Sequence, residues 1–242
     1  MTAIIAHRGG ALLWPENSRA ACRGAVGLGV DEIQIDVHAT LHGELVAIHD
    51  SSLDRTTDAS GPVAAVSPNA KAGIKLNVTR ESLPLLEDLI GIIKPSPSRL
   101  RIELKRNLAG EPSGAMPVLL TDLLQRKQML ERTIISAFAL EDVLSSMHIP
   151  AAHHVWLLST AYLAAHTPAQ ALGVATARGI PGLGLRWNAL PTGFAEDMRS
   201  AARKLDLFGC NDDQSIQAAL AARPDALSTD RPDLALRARA AG

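Results

Sequence analysis

The sequence predicts an α/β protein of the TIM (β/α)8 barrel class. The chain has 242 residues, a length typical of such a barrel. From residue 100 onward, short apolar strand patterns alternate with helical stretches of about ten residues, which indicates βα units and a parallel sheet. Several strand patterns end in titratable side chains, as expected at the carboxyl ends of barrel strands.

The first fifty residues contain three strand patterns and one helix. The strands are predicted over residues 3–7, 32–36 and 45–49. Asn17 or Ser18 can cap a helix over 19–28. Twelve residues lie between Asp36 and His49, just enough for a parallel return as extended chain.

Residues 51–82 are polar, contain the turn signal Ser60-Gly61-Pro62, and are longer than an ordinary loop. We predict a small insertion after the third strand, packed over the active-site face of a single domain formed by residues 1–242. The predicted role of the insertion is to shape one side of the substrate pocket.

The rest of the chain completes the alternation. Helices are predicted over 84–93, 117–130, 140–147, 168–178, 193–204, 214–222 and 232–240, and strands over 100–104, 133–137, 153–158, 182–187, 205–210 and 226–228. This gives nine strands, one more than a barrel needs, so either the barrel is distorted or one early strand is miscounted.

Composition narrows the function. Hydrophobic residues make up 47% of the chain and charged residues 20%, so a folded core is expected. With 3% aromatic residues and a formal charge of −1, we expect no nucleic-acid partner. No apolar run approaches the ~20 residues of a membrane span, and the two cysteines have no metal or redox spacing. A cytoplasmic protein is the expectation.

Polar side chains on two strands form a candidate metal site. Gln34 and Asp36 share one face of their strand, and Glu103 and Lys105 share one face of another. Carboxylate and carbonyl oxygens suit Mg²⁺ or Ca²⁺. The alternative interpretation is an ion pair between Glu103 and Lys105 on the barrel rim.

Two histidines end apolar strands. An imidazole with an unperturbed pKa near ~6.5 suits proton transfer at neutral pH, so His7 and His49 beside Arg8 and Asp36 suggest acid–base work on an anionic ester. The alternative is that such strand-end histidines are structural.

Motifs spread over nearly the whole chain resemble the glycerophosphodiester phosphodiesterase family. They are His7-Arg8-Gly9-Gly10, Pro15-Glu16-Asn17-Ser18, Gln34-x-Asp36-Val37, His49-Asp50, Leu53-Asp54-Arg55-Thr56-Thr57, Leu83-Pro84-Leu85-Leu86-Glu87, Glu103-Leu104-Lys105 and Thr229-Asp230-Arg231-Pro232-Asp233. The resemblance implies a TIM barrel and metal-dependent hydrolysis of glycerophosphodiesters to sn-glycerol 3-phosphate and an alcohol.

The resemblance also implies residue roles. His7 and His49 would be the acid–base pair; which of them is the acid, and whether the nucleophile is water or a glycerol hydroxyl, is left open. Arg8 and Lys105 would hold the phosphate, and Asp36, Glu103 and Gln34 would be metal ligands. Phe208 and Trp187 would line the substrate pocket.

The sequence departs from the family pattern at two places. Gln34 stands where the family usually has a glutamate, so the expected Mg²⁺ or Ca²⁺ is weakly bound. Phe208-Gly209-Cys210-Asn211 stands where the family usually has Trp-Thr-x-Asn.

Three functions compete. The first is a phosphoric diester hydrolase acting on a small-molecule glycerophosphodiester. The second is a related phosphodiesterase for lysophospholipids or sugar phosphodiesters, which Phe208 leaves open. The third is a binding protein whose metal catalysis is weakened at Gln34.

Overall fold

Eight parallel strands form a closed barrel. The computed structural model describes residues 1–241, in which nine strands occur. They are β1 (Ala3–Ala6), β2 (Glu32–Ala39), β3 (Leu45–Ala47), β4 (Arg99–Leu104), β5 (Thr133–Ala137), β6 (His153–Leu157), β7 (Gly182–Arg186), β8 (Lys204–Phe208) and β9 (Ala226–Thr229). The sheet order is β1-β9-β8-β7-β6-β5-β4-β2-β3, and a parallel pairing of β1 with β2 closes the barrel. The predicted fold class is confirmed.

The ninth strand lies outside the barrel. β3 pairs with β2 in antiparallel orientation, with Val37 opposite Ala47 and Ala39 opposite Leu45. The predicted parallel return between these strands is therefore wrong. β2 continues to Ala39, three residues beyond its predicted end, so only a short connection remains and the chain turns back as a hairpin.

Helices follow the barrel strands. They are α1 (Arg19–Leu28), α2 (Pro68–Lys71), α3 (Leu86–Ile93), α4 (Met116–Lys127), α5 (Leu140–Ser146), α6 (Thr160–Ala165), α7 (Pro168–Arg178), α8 (Phe194–Ser200), α9 (Asp213–Ala221) and α10 (Pro232–Ala241). Within residues 1–241, each helix is too short or too polar to cross a bilayer.

Helix α1 shows how local sequence sets these boundaries. The Ser18 hydroxyl accepts a hydrogen bond from the Ala21 N–H at 2.9 Å, and Gly29 ends the helix at φ +71°. Of the two predicted caps, Ser18 performs this role. Asn17 is left to contact the strand β2, as described below.

Most of the apolar core lies between the barrel and its helices. One cluster of buried side chains runs from Ile4 to Ala235 and includes residues of all nine strands. Ile33 and Ile35 of β2 belong to this outer layer, so the alternate residues Glu32, Gln34 and Asp36 point into the barrel. The alternation therefore delivers polar side chains to the interior.

The segment 51–82 has a small core of its own. It contains α2. Its side chains Leu53, Val63, Val66 and Ile74 pack against side chains of β3 and of residues close to that strand. Glu81 ties the segment to the barrel, because its carboxylate accepts the Arg19 N–H at 2.9 Å. The insertion is thus anchored at the amino end of α1.

Candidate active site

A cavity of about 340 Å³ opens at the carboxyl ends of the barrel strands. Its lining comes from all eight barrel strands and the loops that follow them, and includes Ile5, His7, Arg8, Gln34, His49, Arg101, Glu103, Ser136, Phe138, Leu157, Arg186, Asp206, Leu207, Phe208, Gly209, Asn211, Ser228 and Asp230. His7 and His49 therefore reach the same cavity. This is the position at which barrel enzymes carry out chemistry.

Each histidine is held by a carboxylate. His7 Nδ1 lies 2.7 Å from Asp230 Oδ1, and His49 Nδ1 lies 2.6 Å from Asp50 Oδ1. With Nδ1–H donating to a carboxylate, Nε2 is the ring atom left for proton exchange. Asn211 fixes Asp230 in turn, through a 2.6 Å hydrogen bond from its side-chain amide.

A charged network connects His49 to Arg8. Arg55 donates to Asp50 at 2.6 Å and to Glu16 at 2.7 Å, and Glu16 accepts from Arg8 at 3.2 Å. The hydrogen bond from Arg55 lowers the pKa of Asp50 to about 2. Asp50 is therefore ionised at neutral pH and can stabilise a protonated His49.

The backbone of Arg8 is held in an uncommon conformation. Its φ is +50°, which is rare for a residue with a side chain. In this conformation the Arg8 N–H donates to Gln34 Oε1 at 2.7 Å. The turn is possible because Gly9, at φ +82°, packs directly on α1, where an added Cβ would lie 2.6 Å from the Ala21 Cβ.

Asp36 is buried and fully surrounded by donors. Gln34 Nε2 donates to it at 3.0 Å and Asn17 Nδ2 at 2.9 Å, while Lys105 Nζ lies 3.1 Å away. Burial alone would raise the pKa of Asp36, but the positive charges of Lys105 and other neighbours hold it well below its usual range. A permanent carboxylate thus lies under the cavity.

Lys105 connects the two predicted metal-binding carboxylates. Its ammonium contacts both Glu103 and Asp36. Burial lowers the pKa of Lys105, yet the two carboxylates outweigh this and raise it, so the lysine is charged. The ion pair that competed with the metal interpretation is therefore present.

The metal-ligand chemistry fits a hard cation only in part. Asp36 and Glu103 supply carboxylates, but the Gln34 oxygen already accepts the Arg8 N–H. Among residues 1–241, no group of three or more His, Cys, Asp or Glu side chains is placed to hold a metal. A divalent cation would have to displace the Lys105 ammonium from the two carboxylates, which is compatible with weak binding.

Buried charges form the floor of the cavity. Arg101 donates to Glu32 at 2.8 Å and to Asp206 at 2.7 Å inside the barrel. Two carboxylates share this arginine, and burial raises the pKa of Asp206 to about 6. This layer separates the cavity from the amino-terminal end of the barrel.

Only some of the predicted site residues line the cavity. Gln34, Glu103 and Phe208 line the cavity, whereas Asp36 and Lys105 lie behind the lining. Trp187 is not part of the described lining and packs against the outer core, so its assignment to the pocket stays a prediction. Strand alternation turns the preceding Arg186 inward.

Several residues of the site were given no role on the basis of the sequence. Asp230 and Asn211 orient His7 from the far end of the chain, and Arg101 and Asp206 form the floor. Asp230 could have been found, because it directly follows a strand, as His7 does. None of the described lining residues comes from 51–82, where Arg55 is the main link to the site.

The fold and the site define a class of protein. Paired histidines, carboxylates that orient them and neighbouring guanidinium and ammonium groups at the top of a closed barrel are side chains typical of an enzyme that cleaves phosphate esters.

Comparisons with known proteins agree. The sequence profile of the Glycerophosphoryl diester phosphodiesterase family matches residues 7–234. The chain is 35% identical over 143 residues to a glycerophosphodiester phosphodiesterase of Caldanaerobacter subterraneus subsp. tengcongensis, a match spanning 57% of this chain and 58% of that protein. A glycerophosphodiester phosphodiesterase of Bacillus altitudinis is 29% identical over 252 residues, covering 99% of this chain and 98% of the relative.

A solved structure supports the same placement. A crystal structure from Agrobacterium tumefaciens superposes with a TM-score of 0.95 at 26% identity, covering 100% of this chain and 98% of that one. The chain therefore belongs to the glycerophosphoryl diester phosphodiesterase family, whose members are phosphoric diester hydrolases.

Proposed function

We propose that this protein hydrolyses glycerophosphodiesters to sn-glycerol 3-phosphate and an alcohol. The observation that carries the proposal is the pair of histidines, His7 and His49, each bound through Nδ1 to a carboxylate and both lining one cavity. One histidine removes a proton from the nucleophile, and the other donates a proton to the departing alkoxide. The family assignment names the substrate class.

Positive charge beside the histidines supports phosphodiester cleavage. A phosphodiester carries one negative charge, and its transition state develops more on the non-bridging oxygens. Arg8 lines the cavity, and its buried Nε has no hydrogen-bond acceptor, although it lies 3.3 Å from Asp36. In the proposal Arg8 holds the phosphate, and Lys105 adds positive charge from behind the lining.

The proposal includes a weakly bound divalent cation, Mg²⁺ or Ca²⁺. Asp36, Glu103 and Gln34 would hold it, with Lys105 released toward the phosphate. When bound, the cation supplies Lewis-acid stabilisation of the phosphoryl oxygens. Two carboxylates and one neutral amide make a site of lower affinity than three carboxylates would.

The test is release of sn-glycerol 3-phosphate, followed by a coupled assay. The substrates are a panel of glycerophosphodiesters, with and without Mg²⁺, Mn²⁺ or Ca²⁺. We expect release by the wild-type protein, increased by added metal, and strongly reduced release by a His7→Ala variant. Absence of release from every diester under all conditions would contradict the proposal.

A further inference from the structure

The cavity has two unlike sides. His7, Arg8, Gln34 and Glu103 lie on the strands β1, β2 and β4 or directly after them, and the proposed function uses this side. The opposite side is formed by Phe138, Leu157 and Phe208, together with Arg186 at the end of β7. Ile134, Val155, Leu157 and Phe208 form a separate apolar cluster inside the barrel.

Arg186 is distinguished by its lack of a partner. The carboxylates that line the cavity are already paired: Glu103 with Lys105, Asp206 with Arg101, and Asp230 with His7. The other two guanidinium groups of the lining, those of Arg8 and Arg101, also contact carboxylates. Across residues 1–241, Arg186 forms no ion pair within 4.0 Å and no side-chain hydrogen bond.

The backbone around Arg186 directs its guanidinium to the cavity mouth. Gly209 has φ +80°, and a Cβ added there would lie 3.2 Å from Arg186 Nη1. The guanidinium therefore lies against a residue without a side chain. Gly182 and Gly184 precede Arg186 on the same face of β7, so the space below it also lacks side chains from this strand. The Arg186 side chain is exposed and available to a ligand.

We propose that Arg186 binds a carboxylate on the part of the substrate that lies across the cavity from the scissile phosphate. The inference rests on the proposed function and narrows it to glycerophosphodiesters whose alcohol carries a second anionic group. A guanidinium presents a fork of N–H donors that matches a carboxylate, and this one has no competing carboxylate of its own.

Two diesters that differ in one carboxylate test the inference. Glycerophosphoserine and glycerophosphoethanolamine share the amine and the phosphodiester. We expect the wild-type protein to favour the serine diester in kcat/KM by about fivefold, the upper range for a partly exposed ion pair. Arg186→Gln should bring the ratio near one, and Arg186→Lys should retain part of it. Arg178→Gln, an exposed arginine at the end of α7, is the matched control and should leave the ratio unchanged.

Two measurements keep the outcomes separate. A wild-type ratio of one or below, or an unchanged ratio in Arg186→Gln, would overturn the role of Arg186. In parallel, calorimetry measures the affinities of both diesters for the wild-type and variant proteins. If neither diester is hydrolysed, the proposed function fails, while the ratio of the two affinities still decides for or against the subsite.

Discussion

The substitution Gln34→Glu tests the position at which the predicted metal site departs from the family pattern. Gln34 Oε1 accepts the Arg8 N–H at 2.7 Å, and a glutamate can keep that bond. Gln34 Nε2, however, donates to Asp36 Oδ1 at 3.0 Å, and a carboxylate oxygen there would face another carboxylate. The substitution therefore exchanges one hydrogen bond for one repulsive contact.

The size of the effect follows from the geometry. Two unit charges about 4 Å apart interact by about 4 kcal/mol at an effective dielectric constant of about 20. Lys105 and Arg8 lie close enough to offset part of this repulsion. We therefore expect the metal-free variant to lose about 1–3 kcal/mol of unfolding free energy. A divalent cation should reverse the loss, and metal affinity should rise at least about tenfold, or 1.4 kcal/mol, because a third carboxylate faces the cation.

Calorimetric titration with Mg²⁺ and Ca²⁺, and thermal denaturation with and without chelator, measure both effects. The matched control is the double variant Gln34→Glu/Glu103→Gln, which restores two carboxylates and should bind metal about as weakly as the wild-type protein. If Gln34→Glu leaves metal affinity unchanged, or if chelator does not affect wild-type activity, then Asp36, Glu103 and Gln34 are not metal ligands in this protein.

Three further predictions concern other parts of the molecule. His7→Ala or His49→Ala should lower kcat about 100-fold or more while the fold survives, because each removes a proton-transfer group; near-normal turnover in both would exclude them. Because burial raises the pKa of Asp206 from 3.8 to about 6, the wild-type protein should lose about 1–3 kcal/mol of stability relative to Asp206→Asn as pH rises from about 4 to 6. Ser18→Ala should cost about 1 kcal/mol in urea denaturation, since the Ala21 N–H loses its acceptor.

The Asp206 experiment needs the variant as its reference. Burial lowers the pKa of His153 to about 4, and a base with a lowered pKa makes the fold more stable as pH rises over nearly the same range. The difference between Asp206→Asn and the wild-type protein removes that contribution. A difference that does not change with pH would show that Asp206 stays ionised in the fold.

The sequence predicts a helix or strand well where the residue pattern and the local boundary signals agree. The strand 133–137 and the helix 168–178 have the observed limits, because a short β-branched, mainly apolar run marks the strand and the Thr167 cap marks the start of the helix. The pattern of β3 was recognised, but its direction was wrong. An apolar run does not encode whether its neighbour is parallel, and that choice depends on how far β2 extends.

The site residues were predictable from the sequence where a titratable side chain directly follows an apolar strand pattern. His7 and His49 follow apolar runs, and the cavity includes both. The pairings of Asp230 with His7 and of Arg101 with Asp206 were missed because the partners lie 223 and 105 positions apart in the sequence. Such pairs appear only after the barrel closes, so no local spacing announces them.

The contact between His7 and Asp230 determines at which stage of synthesis and folding the orientation of the histidine is fixed. β1 and β9 are neighbours in the closed ring, and the aspartate after β9 sets the ring orientation of the histidine after β1. Because Asp230 lies 223 positions after His7, a nascent chain contains the histidine long before the aspartate is synthesised. The ring orientation of His7 is therefore fixed only when β9 joins β1, and we expect turnover in a refolding experiment to report closure of the barrel rather than earlier collapse.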